Sequence, residues 1–161
     1  SFSDRSVEKL SNRKSKVPNW YLDLSMITQY WLGKARVYHH TAPINMLYGL
    51  YQACYNILDE GLNNVIQRHY EMHQILADEL DNLGLELFVE ENARLPMLNA
   101  VRIPEDVNDG DVRNRLLNEF HIEIGGGLGP LSGKIWRIGL MGETAKKESI
   151  HRLMDAFRKI L

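Results

Sequence analysis

The sequence predicts an α/β chain in which long helices lead into a small α+β unit, a small sheet covered by helices. Three observations carry this. Apolar residues recur at three- and four-residue spacings between Leu24 and Leu83. After Leu85 the period shortens to runs of strand length, and helical spacing then returns after Asp109 and again after Thr144. From Leu85 on the order therefore reads β-β-α-β-β-α.

At 161 residues the chain is large enough for a real core. Its 44% hydrophobic and 25% charged content is ordinary for a globular protein. A formal charge of −2 and a pI near 6.3 argue against general binding to nucleic acid or to a membrane surface. A single cysteine, Cys54, excludes an internal disulfide and suits a reducing compartment; a cytoplasmic setting is expected, with a peroxisomal or mitochondrial one as the alternative. No apolar run approaches membrane-spanning length, and the C-terminal Lys159-Ile-Leu161 is not a peroxisomal Ser-Lys-Leu signal.

Ser1 to Lys16 reads as a basic surface segment with a short helix from Arg5. Leu24, Ile27 and Trp31 fall at i, i+3 and i+7, a helix that packs on something else. Thr41 and Pro43 fit the entrance of the next helix, as N-cap and first-turn residue. That helix carries Met46, Leu47, Leu50, Ala53, Cys54, Ile57 and Leu58, and Gly61 stops it. A longer helix, Leu62 to Leu83, holds the stripe Leu62, Ile66, His69, His73, Leu76, Leu80 and Leu83, with Gly84 as its stop. Leu85–Val89 and Met97–Ile103 read as strands. Asp109 caps a helix with Val112, Leu116, Leu117 and Phe120 inward. Ile122–Ile124 and the run through Arg137 read as two more strands, and Thr144 caps a last helix with Ile150, Leu153, Met154 and Phe157 inward.

The chemistry concentrates in His121–Gly142. Five glycines and Pro130 stand within ten positions, between two apolar runs. In the second run Trp136, Ile138 and Leu140 take one face, and Ile135, Arg137, Gly139 and Met141 the other. Arg137 is an always-charged fork inside an apolar strand and needs an anion. Two partners are open: an internal carboxylate such as Glu123, or the carboxylate of a ligand beside the glycine loop. A second polar cluster, Tyr38-His-His-Thr41, stands at a helix entrance. It reads either as a capping turn with aromatic packing or as an anion site for a group such as phosphate.

Other motifs fail on spacing. Gly133-Lys134 lacks the glycine five positions before Gly133, where Leu128 stands, and Ile135 follows the lysine, so there is no P-loop. No G-x-G-x-x-G register fits either. His69 and His73 have the i, i+4 spacing of a zinc pair, but no third ligand is evident, and two partly buried histidines are favoured. His39 and His40, adjacent in sequence, are expected to point apart. Cys54 is expected to pack as a small hydrophobe. No metal site is expected.

Taken together, Ser1-Phe-Ser-Asp4, Tyr38-His-His-Thr41 with Pro43, Ile122-Glu-Ile124 with Gly126-Gly-Leu-Gly-Pro130, and Trp136-Arg-Ile-Gly-Leu140 resemble the class V, fold-type I aminotransferases that use pyridoxal 5′-phosphate. The group they most resemble is that of the alanine–glyoxylate and serine–pyruvate aminotransferases, and the resemblance is to its C-terminal part. It implies that residues 1–60 end the large cofactor domain, with an interface segment and helix, and that 61–161 form the small domain. Arg137 then holds the substrate carboxylate. Tyr38 and Thr41 bind the cofactor phosphate of the neighbouring subunit in a homodimer with composite sites. The substrates implied are a small amino acid, alanine or serine, and a 2-oxo acid, glyoxylate or pyruvate. The Schiff-base lysine of the family precedes this stretch, so Lys9, Lys14 and Lys16 receive no catalytic role and the segment alone is expected to be inactive. Rival readings are a lyase or cysteine desulfurase of the same fold, and a non-enzymatic module that binds a small carboxylate.

Overall fold

The computed structural model describes residues 2–35 and 37–161; Ser1 of the Ser-Phe-Ser-Asp motif and Arg36 lie outside the described residues. Six helices are described: α1 (Asp4–Ser11), α2 (Leu24–Leu32), α3 (Ile44–Glu60), α4 (Leu62–Asn82), α5 (Asp109–Phe120) and α6 (Lys147–Ile160). The strands are β1 (Leu98–Arg102), β2 (Gly125–Gly126) and β3 (Ile135–Gly139). The chain divides into two compact units, Ser1–Ala53 and Cys54–Leu161, with the division falling inside α3.

In the first unit, Ser3 caps α1 by accepting from the Ser6 N–H, and Asp23 caps α2 by accepting from Ser25. A short 3-10 turn, Trp20–Leu22, precedes α2. Leu24 and Ile27 are half-buried as the periodicity predicts, whereas Trp31 is exposed. Every residue of α3 is exposed, including Met46, Tyr48, Leu50, Tyr51 and Leu58. Thr41 does not cap this helix, because the Pro43 carbonyl already accepts from the Leu47 N–H at 3.0 Å and Thr41 lies outside the turn.

The second unit holds the core. Its sheet is antiparallel in the order β1-β3-β2, with Ala100 opposite Arg137 and Gly125 opposite Arg137 on the other side. Asn99, Val101, Trp136, Ile138 and Leu140 face a layer built from α4, α5 and α6. Met72, Leu76 and Leu80 come from α4; Val112 and Leu116 from α5; Ile150, Leu153, Met154 and Phe157 from α6. The predicted inward faces are thus largely met. Leu62 and Ile66 remain exposed at the start of α4, and Leu117 is exposed on α5. At the C-terminus of α4 the Leu85 N–H donates to the Leu80 carbonyl and the Gly84 N–H to that of Asp81, so two end carbonyls are satisfied.

Several local expectations shift. Leu85–Val89 is not a full strand; it touches β1 through a single bridge, Leu87 to Val101. The strand predicted at Ile122–Ile124 forms instead at Gly125–Gly126, where the backbone can meet β3. Asn108, not Asp109, caps α5 by accepting from the Asp111 N–H. Thr144 folds back on Met141 in a 3-10 turn, and α6 begins three residues later without a side-chain cap. No helix among the described residues is long and apolar enough to cross a membrane.

Arg68 of α4 ties the loop after β3 to the helix layer. Its Nη1 donates to the carbonyls of Gly142 and Ala145, both at 2.9 Å, while Nε and Nη2 hold both oxygens of Glu60. The guanidinium keeps the Glu60 carboxyl below the usual carboxylate range. Its stabilising contribution is therefore present above that range and is lost as pH falls through the lowered value. Arg68→Ala in the complete protein should cost about 1–2 kcal/mol, chiefly from the Ala145 carbonyl left without its donor, since the Gly142 carbonyl still accepts from the Ala145 N–H. Thermal unfolding checks this, with an unchanged midpoint as the contrary result. The variant should also lose the acid-side drop in stability that comes from Glu60.

Candidate functional site

β3 places Arg137 by simple alternation. Its neighbours Trp136 and Ile138 are drawn into the helix layer, so Arg137 emerges on the opposite face, half-buried, beside Ala100. Trp136 is fully buried and stacked on Phe157 with ring centroids 5.3 Å apart. Its Nε1–H donates to Asp109 at 3.1 Å, and Asp109 also accepts from Arg113 at 2.8 and 3.1 Å. Sequence reasoning assigned Asp109 to the helix cap and missed this contact, because nothing local links positions 109 and 136. The signal available was a buried indole, which needs an acceptor.

The Arg137 guanidinium is held at its inner edge. Nε donates to the Gly126 carbonyl at 2.7 Å. A Cβ added at Gly125 would sit 3.3 Å from Nη2, 3.4 Å from Nε and 3.5 Å from Cζ, so the guanidinium lies almost flat against bare backbone. Gly127 is needed too, since a Cβ there would collide with the Leu131 carbonyl where the loop folds back. The Gly127 N–H donates to Ile135 and closes the loop. The internal ion pair is not formed. Glu123 is exposed, and no carboxylate lies within ion-pair distance of Arg137 among the described residues. With Nε committed to Gly126, the end-on fork of Nη1 and Nη2 remains for an anion.

Tyr38 and Thr41 belong to the first unit. Their hydroxyls share a 2.6 Å hydrogen bond, and both residues are exposed. One hydroxyl must donate to the other, which leaves one O–H hydrogen free to donate outward. The pair sits just ahead of α3, whose N-terminal end adds a partial positive charge. His39 and His40 do not point apart as expected; their Nδ1 atoms lie 2.7 Å from each other.

The remaining candidates resolve as structural. His69 Nδ1 lies 2.6 Å from the Val65 carbonyl and must donate to it, so Nε2 accepts from the Gly142 N–H at 3.1 Å. His73 Nδ1 donates to Asn99 at 2.6 Å inside the core. The two rings do not share a ligand, and no group of three or more metal-ligating side chains occurs among the described residues. Cys54 is exposed on α3 rather than packed, because the whole helix is exposed.

No protein-family model matches the chain. Individual proteins do. Alanine–glyoxylate aminotransferase of Felis catus is 40% identical over 164 residues, covering all of this chain and 40% of its own length. Among solved structures, the Nostoc sp. alanine–glyoxylate aminotransferase is 49% identical with a TM-score of 0.91, covering 99% of this chain and 42% of its own. The ureidoglycine–glyoxylate aminotransferase of Bacillus subtilis is 34% identical with a TM-score of 0.92, covering 100% and 41%. The chain thus spans about two fifths of the length of the curated relatives it matches. It is homologous throughout to the C-terminal part of the alanine–glyoxylate aminotransferases and carries the fold-type I architecture of that part.

Proposed function

We propose that this chain is the C-terminal part of a pyridoxal 5′-phosphate-dependent aminotransferase that exchanges an amino group between a small amino acid, alanine or serine, and a 2-oxo acid, glyoxylate or pyruvate. The observation that carries the reading is Arg137: a half-buried guanidinium with no internal carboxylate, its inner edge fixed and its outer fork free. Relatives named for glyoxylate transamination support it.

The residues present fit the cofactor and the substrate. Tyr38 and Thr41 offer exposed hydroxyls close together, suited to a phosphate. When bound, pyridoxal phosphate supplies an electron sink for the charge left as the Cα–H bond of the amino acid breaks. Arg137 supplies orientation. Holding the carboxylate end-on through two N–H groups would anchor one substituent of Cα and so restrict the torsion about the Cα–N bond, the torsion that decides which Cα bond is poised to break. Partial burial strengthens that attraction over its value in bulk water. The carbonyl of Gly126 keeps the fork from turning away. No proton transfer is assigned to a side chain of this segment.

The assembly proposed is a homodimer in which Tyr38 and Thr41 serve the partner's cofactor. The fully exposed apolar face of α3, directly after these residues, supports burial against other protein.

Transamination of alanine with glyoxylate by the complete protein is the direct test, and no turnover with any small amino acid would overturn the reading. Arg137→Ala should lower kcat/KM by about 100-fold or more, roughly 3 kcal/mol, and Arg137→Lys should recover only part, since an ammonium offers a point charge. Normal turnover by Arg137→Ala would remove the carboxylate role.

Gly125→Ala should push the guanidinium off its seat and lower kcat/KM about tenfold, with little change in thermal midpoint. A crystal structure of the variant with Arg137 unmoved would contradict the seating argument.

For the composite site, one subunit would carry Tyr38→Phe with Thr41→Ala and the other would lack the cofactor-binding lysine of the complete protein. Mixed dimers should regain one competent site if the hydroxyls cross the interface. Activity that stays absent on mixing places the contacts within one chain.

A further inference from the structure

Tyr38 to Thr41 belongs to no helix or strand, yet its side chains are tied down. His39 is 7% exposed, and its ring lies 4.7 Å from that of Trp20. Its Nε2 is 3.0 Å from the Trp20 carbonyl oxygen. A carbonyl only accepts, so in the neutral ring Nε2 carries the proton and Nδ1 is left with its lone pair. That lone pair faces His40 Nδ1 at 2.7 Å, so His40 must carry its proton on Nδ1 and donate it. Each ring's tautomer is thereby set by the other and by one backbone carbonyl.

His40 is linked to Tyr38, and through it to Thr41, by way of the Tyr30 ring. His40 packs 4.9 Å from the Tyr21 ring and 6.3 Å from Tyr30. Tyr30 in turn meets the Tyr38 ring edge-on at 5.8 Å. Tyr38 meets Thr41 through their shared hydrogen bond. Tyr38 itself is 63% exposed, so burial does not order it. What orders it is a sequence of contacts beginning at His39 and the Trp20–Leu22 turn.

We propose that His39 and His40 are positioning residues: a tautomer-locked, hydrogen-bonded pair that presents the Tyr38 and Thr41 hydroxyls together for the cofactor phosphate. This rests on the reading of those hydroxyls as the phosphate-binding pair. An irregular segment fixed before binding has less freedom to lose when the anion arrives, which is how preorganisation raises affinity.

The test uses the complete apo-protein and compares its affinities for pyridoxal 5′-phosphate and for pyridoxal, which lacks the phosphate. His40→Phe keeps a ring against Tyr21 but has no donor. It should weaken pyridoxal phosphate binding about tenfold and leave pyridoxal binding unchanged. His40→Asn, whose amide N–H can stand near the Nδ1 position, should restore most of the affinity. His39→Gln keeps a donor toward Trp20 but offers no acceptor to His40; it should repeat the His40→Phe result and serves if that variant does not fold. Equal weakening of both ligands, or His40→Phe binding like the wild type, would overturn the proposal. Tyr38→Phe with Thr41→Ala separates the two levels. If this double variant loses the preference for the phosphorylated ligand while His40→Phe keeps it, the histidine inference alone falls. If the double variant keeps the preference, the phosphate reading falls and the histidine role falls with it.

Discussion

The hydrogen bond from Arg137 Nε to the Gly126 carbonyl is the contact on which the second unit's functional geometry depends. It joins the strand that carries the charge to the loop that shapes its surroundings. The glycines of β2 favour this seat: Gly125 leaves bare backbone beneath the guanidinium, where a Cβ would come within 3.3 Å of it, and the backbone of Gly126 supplies the carbonyl. A guanidinium so placed is neither neutralised nor loose. It offsets partial burial with one backbone acceptor and retains a fork that could take an anion.

The helix layer behind the sheet makes that placement stable. Trp136 and Ile138 flank Arg137 in sequence and are drawn to the opposite side by the core they fill with Phe157, Leu116 and Leu76. Asp109 fastens the Trp136 indole from α5, and α4 fastens the loop after β3 through Arg68 and His69. Both ends of the arginine strand are therefore fixed by groups distant in sequence. Such anchoring suits the orienting role proposed for Arg137.

The first unit shows a different economy. Its short helices bury little, and α3, which the division between the units crosses, exposes every side chain along its 17 residues. Order at Tyr38–Thr41 comes from polar and aromatic contacts, with His39 as the one buried residue of the segment.

The sequence by itself determined the periodic elements and the placement of Arg137. The α4 stripe, the α6 face and the alternation of Ile135–Gly139 all follow from local spacing, since side-chain direction in a helix or strand depends only on position. The aminotransferase resemblance was legible in Tyr38-His-His-Thr41 and Trp136-Arg-Ile-Gly-Leu140 for the same reason: short motifs lie within one turn or strand. What tertiary structure decided were the partners. Whether Arg137 met Glu123 or a backbone carbonyl, whether Asp109 capped its helix or bound Trp136, and whether His39 and His40 faced each other all turned on pairings across loops. The same holds for the strand that formed at Gly125–Gly126 instead of at the more apolar Ile122–Ile124. Sheet pairing is won by the backbone that can reach its neighbour, and that is a property of the folded chain rather than of the residues taken in order.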